Sequence, residues 1–359
     1  MKRKLLCILL SIMVVSSLLA GCGKKADTTS KDTKKVGVAM PTKDLQRWNQ
    51  DGANMKKSLE EAGYTVDLQY ANNEIATQVS QIENMITGGC KALVIASIDG
   101  KSLGTVLADA KAANIPVIAY DRLIMGTDAV SYYATFDNEK VGTIQGQYIV
   151  DKLDLENQAG PFNIELFTGS PDDNNARYFF GGAMDILTPY IDNGKLVVVS
   201  GQKAFEKVAT LNWSTEEAQK RMENLITAFY ADGTKLDVVL SSNDSCAIGI
   251  SNALVNAGYS GDTFPILTGQ DCDVTSVKNI LAGTQSMSIF KDTRTLANKV
   301  VEMVNSIMKS ETVSVNDTKT YDNGTGIIPT FLCDPVFADA DNYKALLIDS
   351  GYYTEDQLK

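Results

Sequence analysis

Short runs of apolar, β-branched and aromatic residues alternate along the chain with segments in which apolar residues recur every three or four positions. The runs predict strands at Val36 to Met40, Val66 to Tyr70, Ala92 to Ile98, Pro116 to Tyr120, Phe162 to Phe167, Leu196 to Val199, Val238 to Leu240, Pro265 to Leu267 and Ser286 to Phe290. Two helical stripes are clear, formed by Ile75, Val79, Ile82 and Ile86 and by Leu296, Val300, Val304 and Ile307. Strands that are almost continuously apolar are covered on both faces by helices, which is typical of parallel sheets built from βαβ units.

The alternating elements fall into two sets, and the 359 residues exceed one typical hydrophobic core. The first set predicts an N-terminal lobe over residues 36–138, and the second predicts a C-terminal lobe over 139–288. We expect the chain to return to the first lobe over 289–327 and to end in the second lobe over 328–359. The predicted fold is therefore α/β, with two doubly wound parallel-sheet lobes joined by a hinge of several crossings.

The N-terminus has the pattern of an export signal. Lys2, Arg3 and Lys4 precede an apolar run that ends in Leu19-Ala20-Gly21-Cys22. The end of this run resembles a bacterial lipobox, which implies cleavage after residues 1–21 and attachment of lipid to Cys22. The polar residues 22–35 then predict a flexible tether. An ordinary signal peptide, or a short membrane anchor with an incidental cysteine, is the alternative.

The composition and net charge exclude several classes of active site and partner. The net charge is −11 and the chain has no histidine, which excludes a Ser-His-Asp triad and the commonest zinc ligand. The acidic excess repels phosphate backbones, so nucleic acid is not an expected partner. No CxxC spacing occurs, and no metal, redox centre or cofactor is predicted. Four cysteines of the predicted lobes either pair outside the cytoplasm or stay as buried thiols; they are Cys90, Cys246, Cys272 and Cys333.

Polar and aromatic residues follow the predicted strands, where ligands bind to open parallel sheets. In chain order the candidates are Arg47, Trp48, Asp121, Arg122, Asn175, Trp213, Asn243, Asp271 and Lys291. Carboxylate, amide and guanidinium groups suit the hydroxyls of a sugar, which both donate and accept hydrogen bonds. The apolar C–H faces of a pyranose suit aromatic rings. The two tryptophans of the chain follow strands of different lobes, which predicts a sandwich of the sugar between the lobes.

Helix capping is the alternative for the aspartates in these loops. Asp44, Asp121, Asp244, Asp271 and Asp292 all lie where helices are predicted to begin. Asp244 is expected to act only as a cap, because Ser245-Cys246-Ala247 opens the next helix directly. Ser214 and Glu217 predict a capping box after Trp213.

Long stretches of the chain resemble the type I periplasmic sugar-binding proteins, and in particular their D-xylose-binding and multiple-monosaccharide-binding branch. The stretches include VGVAMPTKDLQRW, LVIASIDG, VIAYDRLI, GPFNIELFTGSPDDNNA, GQDCDVTSVK, SIFKDTR and GYYTEDQLK, and they run from residue 36 to the end. Carried over by position, the ligand contacts of this family fall on the nine candidates above.

The resemblance implies three crossings between the lobes and a partner ABC permease, with its ATPase, that imports the sugar. It also allows a chemoreceptor or sensor kinase as a partner. The protein is expected to be a monomeric, extracytoplasmic receptor for an aldopyranose such as xylose, glucose, galactose or arabinose, touching the membrane through its lipid alone. It is not expected to be an enzyme.

Two rival functions remain at the level of sequence. A secreted glycoside hydrolase would use two carboxylates, one with a raised pKa, and no such acid is evident because Asp121 and Asp271 have neighbours that keep them ionised. A sugar sensor without a transport role is the second. A sugar-responsive repressor is not favoured, because it would need a helix-turn-helix where this chain has its signal and tether.

Overall fold

A six-stranded parallel sheet forms the first lobe in the computed structural model of the chain, which describes residues 34–359. Its strands are β1 (Lys35–Met40), β2 (Thr65–Tyr70), β3 (Ala92–Ile95), β4 (Val117–Tyr120), β5 (Val130–Phe136) and β11 (Thr330–Cys333). The spatial order is β2-β1-β3-β4-β5-β11, and all neighbouring strands run parallel.

A four-stranded parallel sheet forms the second lobe and repeats this topology. Its strands are β6 (Phe162–Phe167), β7 (Leu196–Val198), β8 (Val238–Ser241) and β9 (Ile266–Leu267), in the order β7-β6-β8-β9. An antiparallel pair, β10 (Met287–Phe290) with β12 (Val336–Asp339), lies beside it through a bridge between Gln270 and Ile289. In both sheets the first strand lies between the second and third, which places a topological switch point in each lobe.

Helices connect the strands. They are Gln46–Glu61, Ile75–Thr87, Gly104–Ala112, Asn138–Leu153, Asn175–Asp192, Phe205–Val208, Thr215–Leu225, Asp244–Asn256, Val274–Ala282 and Thr293–Met308. In β1, Val36 and Val38 pack in the cluster that contains Leu296 and Val300, whereas Ala39 packs on the opposite face with Ile82. Burial of both faces explains why these strands have continuous apolar runs.

The predicted strands are all present, although β3 ends at Ile95 and not at the predicted Ile98. Both predicted helical stripes are confirmed, with the exception of Ile75, which is 38% exposed at the start of its helix. The chain passes between the lobes three times: after β5, after β10, and between β11 and β12. The fold class expected from the sequence is therefore correct.

Two predicted boundaries change. Lys35 was assigned to the tether, but it is the first residue of β1 and pairs with Thr65. The residues from 328 onward were assigned to the second lobe, but β11 pairs with β5 at the edge of the first sheet. The third crossing consequently lies after Cys333. The predicted signal peptide, Cys22 and the tether up to residue 33 lie outside the described residues.

The cysteines at 90, 246, 272 and 333 are buried and unpaired, which decides between the two alternatives left open by the sequence. Burial raises the pKa of Cys90 to about 11 and that of Cys246 to about 12, so both are held as thiols. Within residues 34–359, no helix combines the length and the apolar character needed to cross a membrane.

Candidate functional site

A cavity between the lobes lies at the carboxyl ends of the strands, and its empty space, including the part open to solvent, is about 390 Å³. It is lined by Leu45, Arg47, Trp48, Asp121, Arg122, Asp173, Phe179, Trp213, Asn243, Ser245, Gln270, Asp271, Asp273 and Lys291. Eight of the nine candidate residues are in this lining, and only Asn175 is not.

Arg47 is the electrostatic centre of the cavity. It lies in the first turn of the helix after β1, and its guanidinium contacts carboxylates of both lobes. Its Nε donates to Asp51 Oδ2 at 2.8 Å, one N–H donates to Asp121 Oδ1 at 2.6 Å, and another donates to Asp271 Oδ1 at 3.3 Å. Burial disfavours the charge, but the three carboxylates outweigh it and hold the pKa of Arg47 well above its usual value.

Lys291 is the second cation, and it lies directly after β10 where the chain crosses between the lobes. Its Nζ is 3.0 Å from Asp271 Oδ1 and 3.9 Å from Asp121 Oδ1. Burial alone would raise the pKa of Asp121, but Arg47 and Lys291 overcome this and lower it. Asp121 is therefore an ionised acceptor, as the sequence predicted.

Arg122 and Asp173 form a second ion pair across the cavity. Arg122 Nε is 2.9 Å from Asp173 Oδ2, although its N–H is not aligned with that oxygen for a hydrogen bond. Another guanidinium N–H of Arg122 donates to the carbonyls of Ser97 and Ile98. Asp173 Oδ2 also accepts a hydrogen bond from Trp213 Nε1 at 3.2 Å. Asp173 thus positions a cation and an aromatic ring with one carboxylate.

The aromatic walls are held by cations and by close packing. The guanidinium carbons of Arg47 and Arg122 lie 4.9 and 5.1 Å from the centre of the Trp48 ring, a cation–π arrangement on a buried tryptophan. Trp213 contacts Phe179 in an edge-to-face arrangement, with ring centres 6.1 Å apart. Trp48 comes from the first lobe and Trp213 from the second, so the two rings line one cavity from opposite lobes.

The expectation that Asp244 acts only as a helix cap is wrong. Asn243 is the cap, and its Oδ1 accepts from the backbone N–H of Cys246 at 3.0 Å. The Asp244 carboxylate is fully buried and accepts hydrogen bonds from Ser288, from Gln285 and from the backbone N–H of Asp273. It joins segments that are 29 to 44 residues apart in sequence.

The other predicted caps have separate outcomes. Asp292 accepts from the backbone N–H of Arg294 and caps the helix Thr293–Met308. Asp44 is exposed and caps no helix, because Leu45 occupies the N-cap position. Asp121 and Asp271 are held in ion pairs instead. Ser214 caps its helix through the backbone N–H of Glu217.

Asn175 is a positioning residue behind the cavity. Its Nδ2 donates to the backbone carbonyl of Asp121 at 2.5 Å, and its Oδ1 accepts from Tyr133 at 3.1 Å. Asn175 opens a helix of the second lobe, whereas Asp121 and Tyr133 belong to the first. The contact holds the Asp121 loop from across the cleft, and it explains why Asn175 is absent from the cavity wall.

Two carboxyls in the lining have raised pKa values, which the sequence did not predict. Burial raises the pKa of Asp173 despite the charge of Arg122. Burial and the charge of Asp271 raise the pKa of Asp273 to about 7, against the opposing effect of Arg47 and Lys291. The expectation that the site has no acid with a raised pKa, which counted against a glycoside hydrolase, is therefore wrong.

We expect the Asp273→Asn variant to be more stable than the wild type at pH 8, by about 1–2 kcal/mol. The folded-state pKa of Asp273 is raised from 3.8 to about 7, so the folded protein binds more protons than the unfolded chain between these values. The contribution of Asp273 to the free energy of unfolding of the wild type is fully present below about pH 4 and is lost as the pH rises to 7. Urea unfolding at pH 4.5 and pH 8 measures the difference, which should shrink at the lower pH.

Asp185→Asn is the control, because Asp185 is exposed on the helix Asn175–Asp192. Its stability should follow the wild type at both pH values. A difference between Asp273→Asn and the wild type that grows toward low pH would contradict the assignment.

Several polar atoms on the cavity wall have no hydrogen-bond partner in the described protein. They are Gln270 Oε1 and Asp273 Oδ1, both acceptors, and Arg122 Nε, a donor that is already in an ion pair with Asp173. A buried polar atom without a partner costs free energy, so atoms of this kind indicate where a ligand bonds. The two acceptors match a ligand whose hydroxyls donate hydrogen bonds.

Six residues of the lining are not among the nine candidates. They are Leu45, Asp173, Phe179, Ser245, Gln270 and Asp273. Asp173 is in the stretch that supplied Asn175, and Phe179 is one helical turn beyond it. Asp273 is two residues after Asp271. Proximity to the candidates was the available signal, but only the folded chain shows which side chains face the cavity.

Comparisons with known proteins agree with this geometry. A family model described as the periplasmic binding protein domain matches residues 36–312. The multiple sugar-binding periplasmic receptor ChvE of Rhizobium radiobacter is 54% identical over 336 residues, which cover 93% of this chain and 95% of that protein. The D-xylose-binding periplasmic protein of Escherichia coli strain K12 is 38% identical over 324 residues, covering 90% of this chain and 92% of that one.

A solved structure is closer still. An ABC transporter solute binding protein from Clostridium phytofermentans, crystallised with bound β-D-glucose, is 71% identical and superposes with a TM-score of 0.89. The match covers 91% of this chain and all of that one. The family resemblance found in the sequence is confirmed. The chain therefore belongs to the periplasmic binding protein family, in the group of sugar-binding receptors that includes these relatives.

Proposed function

We propose that this protein captures a monosaccharide in the interlobe cavity and delivers it to an ABC importer. The cavity itself supports the proposal most directly: three buried cations, several carboxylates and two tryptophans surround a space of about 390 Å³. Charged planar groups suit the rim of hydroxyls on an aldopyranose, and aromatic rings suit its apolar faces. Glucose bound to the relative of 71% identity makes glucose the first sugar to test.

Closure of the two lobes accompanies capture. Contacts that cross the cleft, such as Arg47 to Asp271 and Asn175 to the Asp121 carbonyl, join residues that separate when the lobes open. A ligand shifts that equilibrium only by binding the closed form more tightly. The cavity has polar groups from both lobes, and a sugar can contact all of them together only in the closed form. The ligand therefore binds the closed form more tightly.

We expect glucose, and to a comparable degree xylose, to raise the melting temperature, because these sugars bind the folded protein alone. A thermal-shift screen of glucose, xylose, galactose and arabinose measures this, and calorimetry follows for each hit. Mannitol, an open-chain polyol with similar hydroxyls, is the control and should leave the melting temperature unchanged. If no monosaccharide shifts the melting temperature at millimolar concentration, the proposal is wrong.

The protein performs no reaction on the sugar in this proposal. The relatives with 54% and 38% identity are a sugar-binding receptor and a D-xylose-binding protein, which supports binding without chemistry. Aryl glycosides incubated with the protein should release no phenol. A release that is lost in Asp173→Asn or Asp273→Asn would instead favour a hydrolase that uses the raised-pKa carboxyls.

An extracytoplasmic position follows from the family, and we propose that a lipid on Cys22 keeps the monomeric receptor at the membrane beside its permease and ATPase. A chemoreceptor or sensor kinase that reads the closed form is a compatible further partner. The Ala20-Gly21-Cys22 junction is the support for the lipid.

Cys22→Ser is expected to abolish incorporation of a fatty-acid analogue. The lipid is attached to the sulfur of this residue, so serine cannot accept it. Metabolic labelling of the bacterial host measures the incorporation. A soluble form that begins at residue 34 should bind sugar with unchanged affinity, and labelling of Cys22→Ser at the wild-type level would contradict the anchor.

A further inference from the structure

Asp273 occupies the N-cap position of the helix Val274–Ala282 without capping it. The other aspartates at N-cap positions of long helices, Asp137 and Asp292, both accept a backbone N–H of their own helix. The first N–H of the Asp273 helix, on Val274, donates to Gln46 Oε1 of the first lobe at 3.1 Å. The side chain of Asp273 is therefore not engaged in the usual role of an aspartate at this position.

Asp273 has an unpartnered oxygen in the cavity lining. The residue lines the cavity, is only 7% exposed, and its Oδ1 atom is buried without a hydrogen-bond partner. No lysine or arginine in residues 34–359 approaches it within 4 Å, whereas Asp271 has two such cations. A buried carboxyl oxygen without a partner is stabilised when a hydrogen-bond donor enters the cavity.

Neighbouring groups fix the backbone of Asp273 in this orientation. Its backbone N–H donates to Asp244 Oδ2 at 2.8 Å, and Asp244 is itself held by Ser288 and Gln285. These contacts involve only side chains of the second lobe. The backbone that carries the unpartnered oxygen is consequently held by hydrogen bonds within the second lobe.

We propose that Asp273 is a specificity-determining residue, whose Oδ1 accepts a hydrogen bond from a ring hydroxyl of the bound aldopyranose. The inference rests on the proposed function and adds a contact to the nine residues predicted from the sequence. Asp271 shares its oxygens with Arg47 and Lys291, but Asp273 has no alternative donor. A sugar that lacks the matching hydroxyl leaves this carboxylate buried and unpaired, which is the strongest basis for rejecting an analogue.

The test is a thermodynamic cycle between Asp273→Ala and sugars that lack one hydroxyl. Calorimetry measures the affinities of wild type and variant for glucose and for its 1-, 2-, 3- and 4-deoxy analogues. At one ring position, we expect deoxygenation to weaken wild-type binding by roughly 10-fold or more, and to weaken binding to the variant by less than about 3-fold. A merely structural role of Asp273 would weaken all five sugars by the same factor.

The two outcomes are separated by a threshold. For each ring position, the loss of affinity on deoxygenation in the wild type is divided by the loss in the variant. A ratio of about threefold or more at any position supports the proposal, and smaller ratios at all four positions overturn it. Asp137→Ala is the matched control, since Asp137 is an N-cap aspartate outside the cavity lining; it should lower the melting temperature and keep the affinity ratios of the wild type. If alanine at position 273 prevents folding, the same cycle and threshold apply to Asp273→Asn. Absence of sugar binding by the wild type would refute the proposed function instead.

Discussion

Replacing Arg47 by methionine is expected to abolish measurable sugar binding and to lower the free energy of unfolding by about 3–5 kcal/mol. The guanidinium contacts Asp51, Asp121 and Asp271, and Asp51 is completely buried. Methionine fills much of the volume but leaves Asp51 without a cation, and it leaves Asp121 and Asp271 with Lys291 alone. Urea unfolding and calorimetric titration with glucose measure the two effects.

The pH dependence of this loss follows from Asp51. Burial already raises the pKa of Asp51 in the wild type, and the charge of Arg47 opposes that rise. Without Arg47 the folded-state pKa rises further, so the folded variant holds a proton that the unfolded chain releases. A carboxyl group whose pKa is raised in the folded state lowers the free energy of unfolding of the protein as the pH rises. The deficit of Arg47→Met should therefore be smaller at pH 4.5 than at pH 7.5.

Arg177→Met is the control, because Arg177 forms an exposed ion pair with Glu206 at 3.5 Å. Exposed pairs contribute about 0–1 kcal/mol, so stability and sugar affinity should both stay near the wild-type values. Adding Asp51→Asn to Arg47→Met should recover part of the stability, since one unpaired carboxylate is removed. An Arg47→Met protein as stable as the wild type would show that the carboxylates find other partners.

The strands of this fold are predictable because a strand that is buried on both faces has a continuous run of apolar residues. β4 is flanked by Pro116 and Asp121 and is apolar throughout, so its bounds are clear from the chain alone. The membership of β11 in the first sheet is a different matter. Thr330–Cys333 follows a long irregular segment, and only the return of that segment to β5 decides which sheet it joins. Local pattern does not encode such a long-range choice.

The candidate site was predictable to the extent that parallel sheets bring strand ends together. Arg47, Asp121 and Asp271 are far apart in sequence, but each follows a strand, and the fold joins them in one ion-pair cluster. The rule fails where a side chain turns away from its local role. Asp244 has the sequence of a cap, but Ser288 and Gln285, more than 40 residues later, take its oxygens instead.

The Trp213 ring is held tightly in place by its neighbours in the second lobe. A Cβ atom on Gly169 would lie 1.9 Å from Trp213 Cη2 and 2.1 Å from Cζ2, so the ring lies directly against the glycine backbone. On its other sides, Asp173 accepts from the indole N–H, and the edge of Phe179 contacts the ring. Trp213 itself has φ +56, a conformation that bulky residues rarely adopt. Its backbone is therefore already committed to this ring position.

We expect Gly169→Ala to weaken glucose binding roughly 10- to 100-fold, which is about 1.4–2.8 kcal/mol. The added methyl group cannot share space with the indole, and moving the ring breaks its bond to Asp173 and withdraws an apolar face from the sugar. The helices and sheets should remain intact, because the clash involves one side chain. Calorimetry measures the affinity, and circular dichroism checks the fold.

A double-mutant cycle identifies the ring as the cause. If Gly169→Ala acts by displacing Trp213, it should cost little further affinity in a Trp213→Leu background, because the clash is gone and the aromatic face is already lost. Gly181→Ala is the matched control: its Cβ would meet nothing within 4 Å, and alanine should stabilise that helix by about 0.5–1 kcal/mol without changing affinity. Full additivity of the two losses in the cycle would mean that Gly169 and Trp213 act on the sugar independently, and that the wall formed by this tryptophan does not depend on its seat.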